Sequence, residues 1–248
     1  MTDKTLVTGG CSFSVYRGGG GEDTLTTPGS KTWARCLAAY LSGYNHIGTA
    51  LPGQGNGLIS RKIIAVVSKL LETTSPDEIL VGIMWSGTNR HDFYHSLQED
   101  FSGTLIENPT SITKDHSRQW VILNWDSNNV YSNNYYKFFH DEVGSLVYTY
   151  EHILRTQWFL KLHNIKNFMS TYTSEVFSDL GKTHNETKFL YDQIDFTKFL
   201  PVTGEYEWCR DQTNLPFRAV NDNHPSGAQH LEFTKQVVIP FLQTNNYL

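Results

Sequence analysis

The feature that most constrains the fold is a run of eight residues, Glu78-Ile-Leu-Val-Gly-Ile-Met-Trp85. The run is apolar at successive positions, whereas a strand with one solvated face alternates apolar and polar residues. A strand that is apolar on both faces is typical of the centre of a parallel sheet, where crossover helices cover each face. The run therefore predicts an α/β protein built around a parallel sheet.

Shorter strand patterns lie on both sides of this run, and segments with apolar residues at helical spacing separate them. The predicted strands cover residues 5–9, 45–50, 78–85 and 166–172, and the predicted helices cover 30–41, 59–70, 145–164 and the chain from 226 onward. Strands that alternate with helices predict a doubly wound parallel sheet in a single domain over residues 1–248. Residues 92–144 mix polar, aromatic and turn residues, which indicates an irregular insertion over the carboxyl edge of the sheet.

Composition excludes several classes of protein. With 39% hydrophobic and 18% charged residues, a folded domain is expected rather than a disordered chain. The net charge of −5 argues against nucleic-acid binding, which needs a basic face. Three scattered cysteines indicate a reducing compartment rather than a disulfide framework or a zinc site. No apolar leader opens the chain and no run approaches the ~20 apolar residues of a membrane helix, so we expect a cytoplasmic protein that binds no membrane.

Four loops carry residues that are suited to acyl transfer. Ser12, the glycine turn at 53–57, Asn89 and His224 each lie just after a predicted strand or just before a predicted helix. Because the carboxyl ends of parallel strands share one edge of the sheet, these loops are expected to converge. A serine hydroxyl becomes a strong nucleophile when an imidazole takes its proton, and amide groups can then bind the oxyanion.

These loops resemble the four sequence blocks of the SGNH/GDSL hydrolase superfamily. Gly10-Cys-Ser-Phe-Ser14 resembles the first block, and Asn45 with Pro52-Gly-Gln-Gly55 resembles the second. Gly87-Thr-Asn-Arg90 and Asp222-Asn-His-Pro225 resemble the third and fourth. The resemblance implies a flavodoxin-like three-layer α/β/α sandwich of about five parallel strands. It also implies a serine esterase without cofactor or metal.

The same resemblance assigns the site residues. It makes Ser12 the nucleophile, His224 the general base and Asp222 the residue that orients the base. The oxyanion hole then consists of the amides of Ser12 and Gly53, or less favourably Gly55, with the side chain of Asn89. The combination of blocks is most similar to the version found in tailed phages, which places the protein in the host cytoplasm.

Three positions depart from the blocks of the superfamily. Cys11 replaces an aspartate, Arg90 replaces the acid that follows the third-block asparagine, and Asn221 stands where the acidic member usually lies. Asp222 is two residues before the histidine, so either Asp222, Asn221 or a backbone carbonyl holds the ring. Cys11 is expected to pack as a small buried residue rather than to act as a nucleophile.

Other residues have competing interpretations. Asn89 could cap a helix, the glycines could serve a tight turn, and Pro225 could start a helix. His91 and His95 have metal-ligand spacing if helical, but no third ligand is evident and no metal is predicted. Arg61 and Arg90 are predicted to bind an anionic group of the substrate, with surface ion pairing as the alternative.

The leading hypothesis is an SGNH-type serine hydrolase that cleaves an ester, with O-acetyl groups on a carbohydrate as the favoured substrate because residues 92–144 are rich in Tyr, Trp and Asn. The alternative is a phage structural or binding protein that retains the fold with little or no catalysis, as a homo-oligomer or virion component. A third option is acyl or sulfuryl transfer to a sugar, with the loop 17–21 contacting the donor.

Overall fold

The computed structural model describes residues 4–15, 31–94, 105–107, 118–123 and 130–248. The strands are β1 (Thr5–Gly9), β2 (Asn45–Gly48), β3 (Ile79–Trp85), β4 (His91–Tyr94), β5 (Leu105–Glu107), β6 (Arg118–Leu123) and β7 (Lys166–Thr171). The helices are α1 (Trp33–Tyr40), α2 (Asn56–Leu70), α3 (Val130–Phe138), α4 (Glu142–Leu162), α5 (Asp179–Thr183), α6 (Asn185–Tyr191), α7 (Glu205–Gln212), α8 (Gly227–Phe233) and α9 (Ile239–Thr244).

The main sheet is parallel and has the strand order β2-β1-β3-β7. β1 and β3 lie at its centre, and every residue of both strands is buried. Beyond β7, a single parallel bridge between Met169 and Phe199 stands where a fifth strand would pair. The predicted α/β class with a parallel sheet is confirmed, with four full strands among the described residues.

Alternate residues of the central strands face two separate cores. Leu6 and Leu80 pack with α1 and the C-terminal helices, whereas Val7 and Val81 pack with α2 and α4. This alternation follows from the pleat, which sends successive side chains to opposite faces. Helices therefore cover both faces of the sheet, and the carboxyl ends of the strands stay open to loops.

The insertion contains more regular structure than its composition indicates. In the described residues β4, β6 and β5 form a three-stranded antiparallel sheet, in that order. The strands are three to six residues long. In strands this short, the alternation of apolar and polar residues repeats only once or twice. The pattern therefore cannot be recognised in a sequence that is rich in aromatic and polar residues.

Helix boundaries lie close to the predicted ones. α4 begins at Glu142 because the Asp141 side chain accepts a hydrogen bond from the Gly144 amide and caps the helix. Ser226 caps α8 in the same way, through the Gln229 amide. None of the helices in the described part of the chain combines the length and hydropathy that a membrane crossing needs.

Candidate active site

The turn after β1 holds Ser12 on a buried base. Cys11, Phe13 and Ser14 are buried, while Ser12 between them is partly exposed. The Ser14 amide donates to the Cys11 carbonyl at 2.9 Å and closes the turn. The Ser14 hydroxyl accepts a hydrogen bond from the Trp33 indole at 3.0 Å, which ties the turn to α1. The serine hydroxyl is thus presented at the edge of the sheet by neighbours that cannot easily move.

The loop after β2 is hydrogen-bonded directly to this turn. The Gly10 carbonyl accepts from the Gln54 side chain at 2.8 Å and from the Leu51 amide at 3.3 Å. Gly53 has a φ of 76°, a conformation that favours glycine. Among the described residues, the amides of Ser12 and Gly53 donate to no acceptor. Two amide donors on adjacent loops are therefore available to an oxyanion.

A line of hydrogen bonds joins Ser12 to His224 and Asp222. The His224 Nε2 atom lies 2.8 Å from the Ser12 hydroxyl, although the two residues are 212 positions apart. The His224 Nδ1 atom lies 2.6 Å from Asp222 Oδ1, which also accepts from the His224 amide at 3.0 Å. The Phe13 ring packs 5.0 Å from the imidazole. Of the alternatives for the third member, Asp222 is the residue in contact with Nδ1.

The Asp222 carboxylate is held in its ionised form. Burial alone would raise its pKa, but hydrogen bonds from the His224 amide and ring and from Arg218 lower the pKa to about 2. Arg218 donates through Nε at 2.8 Å and lies 2.7 Å away through Nη2, both to Asp222 Oδ2. At neutral pH the carboxylate can therefore accept a hydrogen bond from Nδ1–H and orient the ring.

Asn221 occupies the position of the usual acidic residue, but its role in this structure is to form a tight backbone turn. Its φ of 63° lies in the left-handed region, where asparagine is tolerated better than most residues. The Asp222 amide donates to the Ala219 carbonyl at 3.1 Å across this turn. The turn brings the carboxylate of Asp222, rather than residue 221, beside the imidazole.

Asn89 lies in the turn after β3, as the sequence predicts. Its side-chain oxygen lies close to Gly87, and its carbonyl accepts from the Tyr136 hydroxyl at 2.6 Å. Asn89 also lines a cavity of about 300 Å³ together with His140, Glu142 and Glu175. The Asn89 side chain is thus described next to Gly87 and in the cavity that Glu175 lines, and no described contact joins it to Ser12.

Two of the departures from the superfamily blocks, Arg90 and Cys11, interact electrostatically. The Arg90 guanidinium donates to the Ser86 hydroxyl at 2.9 Å, and it is close enough to Cys11 for the thiol to influence its pKa. It also lies 5.2 Å from the centre of the Tyr172 ring. Burial would lower the pKa of Arg90, but Cys11, Tyr172 and Glu175 outweigh burial and raise it. The described contacts of Arg90 are thus with the protein itself, beneath the Ser12 turn.

Arg61 lies on α2, where its charge acts on Arg155 and His152 of α4. Arg155 in turn donates to the Ser60 hydroxyl at 2.9 Å. Arg61 is exposed on α2, and the groups on which its charge acts belong to α4 and not to the loops of the Ser12 site. His91 lies in β4, so the helical spacing with His95 does not apply, and His95 lies outside the described residues.

Asp92 is a structural residue that sequence reasoning missed. Its carboxylate is buried and accepts from the amides of Gly55 at 2.6 Å and Leu58 at 2.8 Å, at the start of α2. Burial raises the pKa of Asp92 to about 6, against these two hydrogen bonds and the Lys62 charge. A helix cap that is supplied from 34 to 37 positions along the chain leaves no local signal in the sequence. Asp92 thereby fixes the glycine loop that carries Gly53.

Comparisons with known proteins bear on the fold and the family. The crystal structure of protein YXIM from Bacillus subtilis is similar, with a TM-score of 0.51 and 11% sequence identity. The match covers 99% of this chain and 57% of that one, so the chain spans little more than half the length of that protein. No curated protein matches the sequence.

A family of unknown function, DUF6071, matches residues 23–207. The matched range covers most of the chain and begins after Ser12 and ends before Asp222. The chain therefore belongs to DUF6071.

Proposed function

We propose that this protein is a serine hydrolase of the SGNH type, which cleaves a carboxylic ester through an acyl-enzyme. The observation that carries the proposal is the hydrogen-bonded line from the Ser12 hydroxyl through the His224 ring to the Asp222 carboxylate. Nucleophile, base and orienting group lie at hydrogen-bond distance in the order that this chemistry requires. The three residues come from opposite ends of the chain and meet at the carboxyl edge of the sheet.

In the proposed acylation step, the Ser12 oxygen attacks the ester carbonyl carbon and its proton passes to His224 Nε2. The tetrahedral intermediate collapses when the imidazolium returns this proton to the alcohol oxygen and the carbon–oxygen bond breaks. A water molecule then repeats the sequence on the acyl-serine, and the carboxylic acid leaves. His224 acts as base and then as acid in each half, so no proton is gained or lost overall.

The oxyanion is proposed to bind to backbone amides. The amides of Ser12 and Gly53 have no acceptor among the described residues, and both lie on loops tied to Gly10. Donors that are fixed before the reaction stabilise developing charge without a reorganisation cost. The Asn89 side chain remains the third predicted donor, and removal of one such donor typically costs 10²–10³-fold in rate.

The favoured substrate is an O-acetyl ester on a carbohydrate. This part of the proposal rests on the aromatic and amide side chains of residues 92–144. Of these, Tyr136 hydrogen-bonds the Asn89 and Leu123 carbonyls, and the Tyr135 ring stacks on His91 at 4.9 Å. Residues 124–129, which contain further candidates for sugar contacts, lie outside the described residues. Acetate release from acetylated glycans, compared with hydrolysis of short acyl esters, tests the substrate class.

Labelling with a fluorophosphonate probe tests the reaction class. The probe should add to Ser12 of the wild type, as located by peptide mass spectrometry, and labelling should be lost in Ser12→Ala and His224→Ala. Ser42→Ala, which changes an exposed serine, is the matched control and should label like the wild type. If the folded wild type is not labelled, the hydrolase proposal fails and the site is that of a binding protein.

A further inference from the structure

The loop that carries His224 has little apolar anchoring. Residues 213–226 connect α7 to α8, and most of them are exposed, with Val220 at 92%. Loops with few buried apolar contacts are the parts of a protein that open most easily. Nevertheless His224 lies 2.8 Å from Ser12 on the far side of the site. Phe13 packs against the His224 ring and Phe217 lies 5.5 Å from the Tyr206 ring, and polar contacts supply the rest of what holds this loop in place.

Arg218 supplies two of these contacts. One is made to His224 and the other to Asp222, which together with Ser12 form the hydrogen-bonded catalytic line. Its backbone amide donates to the His224 carbonyl at 3.1 Å. Its guanidinium bonds to Asp222 Oδ2 through two nitrogens, at 2.8 and 2.7 Å. Arg218 thus bridges the turn from which both residues project.

The two oxygens of Asp222 have separate partners. Oδ1 accepts from the amide and ring of His224, and Oδ2 accepts from Arg218. A carboxylate that is held at both oxygens cannot rotate away from the imidazole. Among the described residues, His224 and Arg218 are the charged or titratable groups that act on Asp222.

We propose that Arg218 is a positioning residue of the catalytic line, which holds the Asp222 carboxylate toward His224 and offsets part of its negative charge. The inference rests on the proposed function and names a residue that none of the superfamily blocks contains. Arg218 touches neither Ser12 nor a substrate in this role, and it acts through Asp222.

Exposed arginine–aspartate pairs usually contribute little to stability, so the Arg218–Asp222 pair has to be distinguished from an ordinary surface pair. The Arg218 side chain is 61% exposed, but that of Asp222 is only 22% exposed and faces a functional partner. The chain offers a matched pair for comparison in Arg210 and Asp211, whose side chains are 52% and 49% exposed. The Arg210–Asp211 pair also has two contacts, at 2.6 and 2.8 Å, but it lies on α7, and among the described residues Asp211 contacts no histidine of the site.

The test compares the pH dependence of fluorophosphonate inactivation in Arg218→Gln, Arg218→Lys and Arg210→Gln with the wild type. Inactivation requires a neutral imidazole, so its rate falls at acid pH. Arg218→Gln removes a positive charge beside Asp222, so the midpoint of the acid limb should move up by roughly 0.2 to 0.5 pH unit. Its plateau rate should fall about 3- to 10-fold, because the carboxylate is less well oriented.

The two other variants separate charge from geometry. Arg218→Lys keeps the charge but loses the two-nitrogen contact, so its plateau rate should fall while its midpoint stays. Arg210→Gln should match the wild type in both. The inference is overturned if Arg218→Gln keeps the wild-type midpoint, even when its rate or melting temperature falls, because a merely structural role predicts that result.

A second measurement separates this inference from the proposed function. The ring of His224 is titrated by nitrogen-15 NMR in the wild type and in Arg218→Gln, which requires no turnover. The upward shift should appear there as well, even if the wild type fails to react with the probe. No probe reaction together with this shift rejects the hydrolase and keeps the electrostatic contact, whereas equal titrations reject the role of Arg218.

Discussion

The two halves of the candidate site are built in opposite ways. The Ser12 turn continues a central strand, and its neighbours Cys11 and Phe13 are 0% and 3% exposed. The His224 loop lies between two helices and is largely exposed, up to Val220 at its tip. One half is therefore placed by the hydrophobic core, and the other mainly by hydrogen bonds.

This difference decides what a substitution should do. The Ser12 turn shares its contacts with the sheet, so a change there should reduce the free energy of unfolding of the whole domain. The His224 loop is held by hydrogen bonds. The Gln229 side chain bonds the Leu215 carbonyl near the start of the loop, and Arg218 bonds Asp222 across its turn. Loss of such a tie should release the loop more than it unfolds the protein.

Gly10→Ala should give the largest effect. An added Cβ would lie 3.0 Å from the Met84 carbonyl oxygen and within 2.9 Å of the Ser14 side chain, which is held by Trp33. Neither can yield without disturbing the sheet, so we expect a loss of about 3 kcal/mol in the free energy of unfolding. Urea denaturation followed by circular dichroism measures this loss.

Gly43→Ala is the matched control for this change. No atom of the described residues lies within 4 Å of a Cβ at Gly43, so the stability of Gly43→Ala should stay within about 0.5 kcal/mol of the wild type. An equally small effect of Gly10→Ala would contradict the view that the core places the nucleophile turn.

Gln229→Ala should rank second and act mainly on the other half. The buried amide of Gln229 donates to the carbonyls of Cys209 and Leu215 and to the Thr213 hydroxyl, and it accepts from the Ser226 amide. It therefore joins both ends of the His224 loop at a single point. Leaving these groups without partners should cost about 2 kcal/mol in the free energy of unfolding.

The more informative readout for Gln229→Ala is the reaction rate of Ser12. Fluorophosphonate labelling should slow by about tenfold under conditions where the variant is fully folded, because the Ser12–His224 contact is lost more often. Gln236→Ala is the control, since among the described residues this exposed glutamine bonds only to Glu232, four positions before it. Unchanged labelling in Gln229→Ala would show that the loop is held elsewhere.

The same contrast explains what the sequence could predict. β3 carries its signal in consecutive residues, and the Ser12 turn follows from strand, glycine and small residues in one stretch. The Ser12 turn, the glycine turn at 53–57 and Asn89 each follow a parallel strand, so their convergence at one edge of the sheet was predictable. The His224 loop lies between two helices, so its meeting with Ser12 was expected from the resemblance to the superfamily blocks and not from the sheet.

The supporting contacts were not predictable in this way. Asp92 caps a helix far away in the sequence, and Arg90, in the loop after β3, interacts electrostatically with Cys11 in the turn after β1. Both are charged residues, which usually lie on the surface, and only the tertiary fold shows that their side chains make buried contacts. Arg218 lies four residues before Asp222, but that spacing is significant only because Asn221 reverses the chain between them.

Asn221 provides the smallest and most local prediction. Its φ of 63° costs most side chains about 1 kcal/mol, and β-branched residues more, whereas glycine adopts it freely. Asn221→Gly should therefore leave both stability and Ser12 labelling near the wild type. Asn221→Val should strain the turn between Ala219 and Asp222, draw the carboxylate from the imidazole and slow labelling several-fold. Because the loop is anchored weakly to the core, we expect the strain to appear as faster amide hydrogen exchange in residues 213–226 with little change in urea midpoint. A fall in the urea midpoint of Asn221→Val as large as that of Gly10→Ala would show that the His224 loop is as much part of the core as the Ser12 turn, and the contrast between the two halves would be wrong.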